Sequence, residues 1–168
     1  MFDLRSLRLE PGDARRVDLD VELDPIELGG QRYVVGDGPV PITLDVQAAV
    51  DGLHLRLRLR TVVRGPCYRC TEPAEVRVAV DDRQYHAAVP DPEAEEDTVS
   101  PHVRGGRLDV AAWAREAVVL ALPAKILCTP DCGGLCPHCG ERLVEGAAHD
   151  CLPVVGDPRW QALERLRE

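Results

Sequence analysis

Aromatic residues are scarce in this chain. Phe, Trp and Tyr together make up 4% of 168 residues, so the core has to be assembled from Val, Leu and Ala. Lysine is nearly missing, since 19 of the 20 basic residues are Arg and only Lys125 is Lys. Acids outnumber bases, 29 to 20, for a formal net charge of −9. That balance excludes a generic nucleic-acid binder, whose phosphate contacts depend on clustered Lys and Arg. No stretch approaches the eighteen apolar residues of a membrane span. Met1 to Arg8 carries no apolar core of a signal peptide, and the chain reads as cytoplasmic. There is no Ser/His/Asp set, no phosphate-binding Gly-rich loop and no His-Glu-x-x-His, and the histidines and acids offer no convergent spacing. The expectation is a protein without catalytic activity. Glu116 reads as a solvated or capping residue and His138 as a side chain facing water.

Against those absences stand seven cysteines, five of them between residues 128 and 151. An odd count argues against a secreted disulfide scaffold. In a reducing compartment, clustered thiols mean metal or catalysis. The run Cys128-Thr-Pro-Asp-Cys132-Gly-Gly-Leu-Cys136-Pro-His-Cys139-Gly140 is threaded with Gly and Pro. Such short turns suit Zn²⁺, which takes four S or N ligands in a tetrahedron. Cys128, Cys132, Cys136 and Cys139 are the expected zinc ligands. Gly140 tolerates the left-handed backbone that follows such a knuckle. Cys136-Pro-His-Cys139 also matches the active string of some thiol oxidoreductases, but that chemistry needs the first Cys at a helix N-terminus after a strand, and neither flank has that character. A second pair, Cys67-Tyr-Arg-Cys70, lies between two strand patterns. It reads either as half of a zinc site or as two buried small residues in a tight turn. The C-terminal cluster completes four ligands without it.

Residues 1–16 read as an arm or edge segment, and residues 17–22 alternate apolar and acidic like a half-buried strand. A short strand is expected at Arg32-Tyr33-Val34-Val35 between glycine turns. The clearest pattern spans residues 40–64. Ile42, Leu44, Val46, Ala48 and Val50 alternate with other types, then Asp51-Gly52 gives a two-residue hairpin signal. Leu53-His54-Leu55-Arg56-Leu57-Arg58-Leu59-Arg60 follows with a strict period of two. Its leucines face the core, and His54, Arg56, Arg58 and Arg60 line the other face about 6.8 Å apart. That arginine stripe is either a solvated sheet face paired with acids or a docking face for RNA phosphate or an acidic partner. Val76, Val78 and Val80 mark another strand. Residues 87–107 are acidic and Pro/Gly-rich, and a loop without packing is expected there. Residues 81–97 alone hold seven acids against Arg83, −6 of the −9. Asp109 is a good N-cap for a helix over 110–121, with Val110, Trp113, Ala114, Ala117, Val118 and Ala121 on one side and Pro123 as the stop. Asp157-Pro158 opens a last helix with Trp160, Leu163 and Leu166 on its inner stripe.

Three pieces together resemble the YceD family, bacterial and plastid proteins linked to accumulation of large-subunit ribosomal RNA. They are Gly65-Pro66-Cys67-Tyr68-Arg69-Cys70-Thr71-Glu72-Pro73; Glu116 through Pro123 followed by Cys128-x3-Cys132-Gly-Gly-Leu-Cys136-Pro-x-Cys139-Gly140-x2-Leu143; and Asp157-Pro158-Arg159-Trp160 with Leu163. The likeness covers roughly residues 15–166. Many relatives end the cluster with Cys-x-Cys, where this chain has His149-Asp150-Cys151. That change keeps coordinating ability and leaves open which four of Cys128, Cys132, Cys136, Cys139, His149 and Cys151 hold the ion. The resemblance implies a role in large-subunit assembly and no established enzymatic activity.

The resulting expectation is an α+β protein. Residues 1–123 form an antiparallel-sheet domain with the acidic loop and the helix, and residues 124–168 form a zinc-stabilised cysteine module with a terminal helix. The leading function is a non-catalytic ribosome-biogenesis factor binding large-subunit RNA or a ribosomal protein through Arg56, Arg58, Arg60 and Arg69. The alternatives are a zinc-dependent regulatory module binding protein or DNA and, third, a thiol oxidoreductase.

Overall fold

Period-two patterning dominates the chain, and the computed structural model answers it with nine strands and one α-helix over the described residues, 1–89, 99–144 and 149–151. In chain order the strands are β1 Phe2–Asp3, β2 Ala14–Val21, β3 Ile26–Leu28, β4 Gln31–Val35, β5 Val40–Ala48, β6 Gly52–Pro66, β7 Pro73–Ala87, β8 Val103–Arg104 and β9 Arg107–Leu108, followed by α1 Val110–Ala121. A 3₁₀ turn at Leu4–Leu7 interrupts the N-terminal arm. The main sheet is antiparallel throughout. β2 pairs β5, β5 pairs β6, and β6 pairs β7 over its whole length, from Gly52 opposite Ala87 to Pro66 opposite Pro73. The far end of β6 also pairs β4, which carries β3. A small second sheet joins β1, β9 and β8.

The alternation reads out in burial. Val40, Ile42, Leu44, Val46 and Ala48 of β5 and Leu55, Leu57 and Leu59 of β6 are buried, with Leu53 half-buried, while His54 and Arg60 are exposed. α1 covers this apolar face where β7 passes. Asp109 caps it, its carboxylate accepting from the Ala112 amide at 3.0 Å. Val110, Trp113, Ala114, Ala117 and Val118 are buried, and Ala121 at the end of the stripe is exposed. The Trp113 indole donates to Asp82 Oδ2 at 2.5 Å, so the largest core side chain keeps its polar edge satisfied.

Two local expectations change. The β5–β6 connection is not a two-residue turn: Ala48 pairs with Leu53, four residues lie between, and neither Asp51 nor Gly52 has a positive φ. Gly52 is required by close approach, since a Cβ there would collide with the His86 carbonyl and the Tyr85 ring. The stretch expected as a loop to residue 107 is ordered at its end. Ser100 and His102 are buried, and β8 and β9 form a hairpin there whose apolar pair, Val103 and Leu108, sits in the core. Most of the acidic run and the expected terminal helix from Asp157 lie outside the described residues.

Candidate metal centre

The two-cysteine turn at 67–70 is the tip of the long β6–β7 hairpin. Its backbone matches the turn at 136–139 bond for bond. The Cys67 amide donates to the Glu72 carbonyl at 2.7 Å, and the Cys136 amide to the Glu141 carbonyl at 2.7 Å. The Thr71 amide returns to the Cys67 carbonyl at 3.0 Å, and the Gly140 amide to the Cys136 carbonyl at 2.9 Å. The Arg69 amide points at Cys67 Sγ and the His138 amide at Cys136 Sγ, each at 3.4 Å. The residue after each second cysteine is left-handed, Thr71 at φ 62° and Gly140 at φ 75°. These are two copies of one knuckle, each closing two thiols onto a common point with an N–H aimed at the first sulfur.

Each knuckle meets two further donors. Cys67, Cys70, Cys128 and Cys132 form one group, and Cys136, Cys139, His149 and Cys151 form another; within each, the donor atoms lie within 4.8 Å of one another. The four cysteines expected to share a single ion are therefore divided. Cys128 and Cys132 fold back onto the hairpin tip, and Cys136 and Cys139 join His149 and Cys151. The division follows local backbone pairing: Leu135, between the pairs, bridges to Arg142 in antiparallel fashion. That bridge and the Leu143 amide on the Gly134 carbonyl, 2.9 Å, turn the second knuckle into its own small loop.

The inner group is anchored before its last two ligands arrive. After α1 the chain passes under the hairpin tip, where the Tyr68 amide donates to the Ile126 carbonyl at 2.8 Å. Ile126 is buried, and Lys125 places its Nζ 5.2 Å from the Tyr68 ring centre. Cys128 follows two residues later. Arg69 Nη1 then donates to the Cys132 carbonyl at 2.6 Å. That contact makes Arg69, expected to meet RNA or a partner, a brace of the cysteine group.

The spacing fits a tetrahedral ion. Thiolates about 2.3 Å from a central zinc stand about 3.8 Å apart, and a thiolate and an imidazole nitrogen stand about 3.6 Å apart. The inner group has Cys67–Cys132 at 3.8 Å and Cys70–Cys128 at 3.5 Å. The outer group has Cys136–Cys151 at 3.7 Å and Cys139 Sγ to His149 Nε2 at 3.3 Å. All seven cysteines are free thiols, and these gaps are far beyond the roughly 2.0 Å of a disulfide. Either group could hold a metal ion. His149 has the added partner of a zinc-bound imidazole: its other nitrogen, Nδ1, lies 3.6 Å from Glu141 Oε2.

Proton affinities within each group are split. Burial acts to raise Cys67, but the amides of Arg69, Cys70 and Cys128 outweigh it and bring the thiol down to about 6. Burial, with the neighbouring sulfurs, pushes Cys70 up to about 12. In the outer group the Cys139 and His138 amides lower Cys136 to about 6, while burial and then the Cys139 and Cys136 sulfurs raise Cys151 to about 11. Thiols stacked on one another resist losing all their protons until a cation replaces them. No helix begins at either knuckle among the described residues; backbone amides of the knuckles and, for Cys67, of Cys128 lower these thiols.

The arginine stripe is built as expected on the outer face of β6. Arg56 donates through Nε and Nη2 to Asp81 at 2.6 and 2.5 Å. Arg58 donates to Asp45 at 2.8 Å, and Asp45 also accepts from Arg16 at 2.6 Å. The Arg16 hydrogen bond foremost, with the charge of Arg58, holds the Asp45 carboxyl below its ordinary value. Among the described residues Arg60 is exposed and has no ion-pair partner. The acids come from the flanking strands β5 and β7, where register places Asp45 opposite Arg56 and Asp81 opposite Arg58. Glu116 is exposed as expected, with its carboxylate 3.2 Å from the buried His102, and His138 is exposed.

Sequence reasoning left Cys67, Cys70, His149 and Cys151 open. The signal that could have placed the first pair is the shared pattern Cys-x2-Cys followed by a residue in a turn, which occurs twice in the chain. No helix of the described residues is long and apolar enough to cross a membrane.

Residues 55–167 match the family model described as "Large ribosomal RNA subunit accumulation protein YceD". The chain is 30% identical to an uncharacterized protein of Mycobacterium tuberculosis over 168 residues, covering 98% of this chain and 79% of the relative. It is likewise 30% identical to an uncharacterized protein of Mycobacterium leprae over 172 residues, covering 97% of this chain and 75% of that relative. No solved structure matches the chain.

Proposed function

The chain belongs to the YceD family, and on that footing we propose that it is a non-catalytic ribosome-biogenesis factor of the cytoplasm that supports accumulation of large-subunit ribosomal RNA. The family match over more than half of the chain is the observation that carries this reading. The partner is the RNA itself or a ribosomal protein bound to it. The basic side chains offered to that partner are Arg60 and, once their acids are displaced, Arg56 and Arg58; Arg69 stands beside the exposed Tyr68 at the hairpin tip.

The ion in the cysteine groups is zinc. Soft thiolates with one imidazole, set in four-donor tetrahedral groups, favour Zn²⁺ over the oxygen-seeking Mg²⁺ and Ca²⁺. Bound there, zinc supplies structure: it holds the hairpin tip against the segment after α1. A catalytic zinc keeps a position open for water or substrate, whereas each group here offers four protein donors. A thiol oxidoreductase needs an accessible thiolate, and the two depressed thiols, Cys67 and Cys136, are both buried.

Depletion of the protein followed by profiling of ribosomal particles tests the reading. The expected outcome is a deficit of mature large subunits, accumulation of their precursors, and co-sedimentation of the protein with those precursors at low salt. Normal profiles after complete depletion would exclude it.

A further inference from the structure

We propose that the chain carries two zinc ions of unequal lability, a slowly released one held by Cys67, Cys70, Cys128 and Cys132 and a readily exchanged one held by Cys136, Cys139, His149 and Cys151. The inference rests on the reading that the ion is zinc and adds where each ion sits and how readily it leaves.

Access separates the two groups. A bound ion leaves by stepwise replacement of its ligands, so a competing donor has to reach it. Cys67, Cys70 and Cys132 are 2%, 2% and 4% exposed and belong to the main apolar core, with Cys128 packed against it. In the outer group Cys139 is exposed, and His149 and Cys151 are partly so. The Cys139–His149 edge therefore faces an incoming chelator or metal-accepting protein, whereas the inner group is shielded on three of its four sulfurs.

Connectivity acts in the same direction. The inner contacts join residues 65 and 58 positions apart. Opening that group means parting two segments also held by Tyr68 on Ile126 and Arg69 on Cys132. The outer contacts join residues 15 and 10 positions apart, so they open by rearranging one local segment.

Donors around the ligands differ too. Four thiolates around Zn²⁺ leave a formal charge of −2, and three thiolates with a neutral imidazole leave −1. Each knuckle aims one amide at its first sulfur and His149 has Glu141 beside it, but the larger inner charge alone is also met by a cation, the Arg142 guanidinium, 3.7 Å from Cys128 Sγ. Outer-shell partners of this kind change metal affinity by about 10–100-fold. Arg142 belongs to the loop of the outer knuckle, so that loop shields the inner group.

The test uses the full chain purified with zinc under reducing conditions. Elemental analysis and native mass spectrometry should give two ions per chain. Challenge with excess EDTA should remove them in two phases of equal amplitude, the slower at least about tenfold slower, in line with the donor-shell effect. Cys139→Ser should lose the fast phase alone and retain one slowly released ion. Cobalt substitution of the wild-type chain makes the assignment independent of any variant's folding: the ion surviving a brief chelator pulse should show the absorption of an all-thiolate site, and the ion lost that of a histidine-containing site. Two ions leaving in a single phase, a fast phase surviving in Cys139→Ser, or one ion per chain would overturn this inference and leave zinc binding standing. No zinc at all would overturn both.

Discussion

Thr71 is β-branched and sits at φ 62°, in the position its twin knuckle gives to Gly140. For an L-residue the left-handed region costs roughly 1–2 kcal/mol, and a β-branched side chain is the least suited to it. Part of that cost is offset by the Thr71 hydroxyl donating to the Cys70 carbonyl at 2.7 Å. Glycine has no such penalty but loses more chain entropy on folding, about 0.5–1 kcal/mol. Thr71→Gly should therefore raise stability by a few tenths to about 1 kcal/mol, read as an upward shift of the thermal midpoint with metal content unchanged. A fall in the midpoint would mean that the Thr71 hydroxyl outweighs the backbone strain. The arginines set a second residue-scale test. Each phosphate contact releases about 0.7–0.9 of a counterion. Arg56 and Arg58 already hold carboxylates, so phosphate would have to displace Asp81 and Asp45 first. Arg60→Gln should then flatten the salt dependence of RNA binding as much as Arg56→Gln and Arg58→Gln combined. Equal effects from all three single changes would indicate that the acids yield freely to RNA.

At the scale of elements, patterning decided most of what was legible. The alternation of β5 and β6 and the stripe from Val110 to Val118 fixed strands, helix and core side, because burial of one face is a local property of period two or 3.6. Pairing across sequence distance was not legible. Nothing local in Cys-x2-Cys at 67 and at 136 says which partners each knuckle takes, and a cluster of four consecutive cysteines looks self-sufficient until Leu135, between its two pairs, is seen to bridge to Arg142 beyond Cys139. Glycines in strands were also opaque. Gly65 lies within β6, and a Cβ there would collide with the ring of Tyr33, a buried side chain whose hydroxyl donates to the Pro66 carbonyl at 3.0 Å. The ring covers the glycine backbone where β4 meets β6, just before the hairpin tip. Gly65→Ala should cost about 1–3 kcal/mol as an overpacked site, and Tyr33→Leu in that background should recover part of it. A neutral Gly65→Ala would show that the ring shifts without losing its hydrogen bond.

For the whole molecule, the question is what the inner cysteine group holds together. The main sheet has its own core of Ile42, Leu44, Val46, Leu55, Leu57 and Val80, closed by Trp113 and Val118 of α1, and none of these side chains needs a metal. The hairpin tip and the segment from Ile126 to Leu143 join that core only through Cys67, Cys70, Ile126 and Cys132, with Leu127 and Cys128 against it. They share Tyr68 on Ile126, Arg69 on Cys132 and the four inner sulfurs. Structural zinc in small modules contributes folding energy directly, about 10 kcal/mol or more in isolated fingers, and with zinc bound as proposed that energy would fall on the junction. Cys132→Ser should leave a cooperative sheet while hydrogen exchange speeds up at residues 66–73 and 126–143. Amides in the middle of β5, β6 and β7 should keep their protection, because opening free energies follow local packing and need not be uniform across a fold. Adding EDTA to the wild-type chain for long enough to empty the inner group should reproduce the same map. If protection were lost across β5–β7 as well, the sheet and the cysteine junction would be one folding unit, and the ion at the hairpin tip would be holding the whole protein.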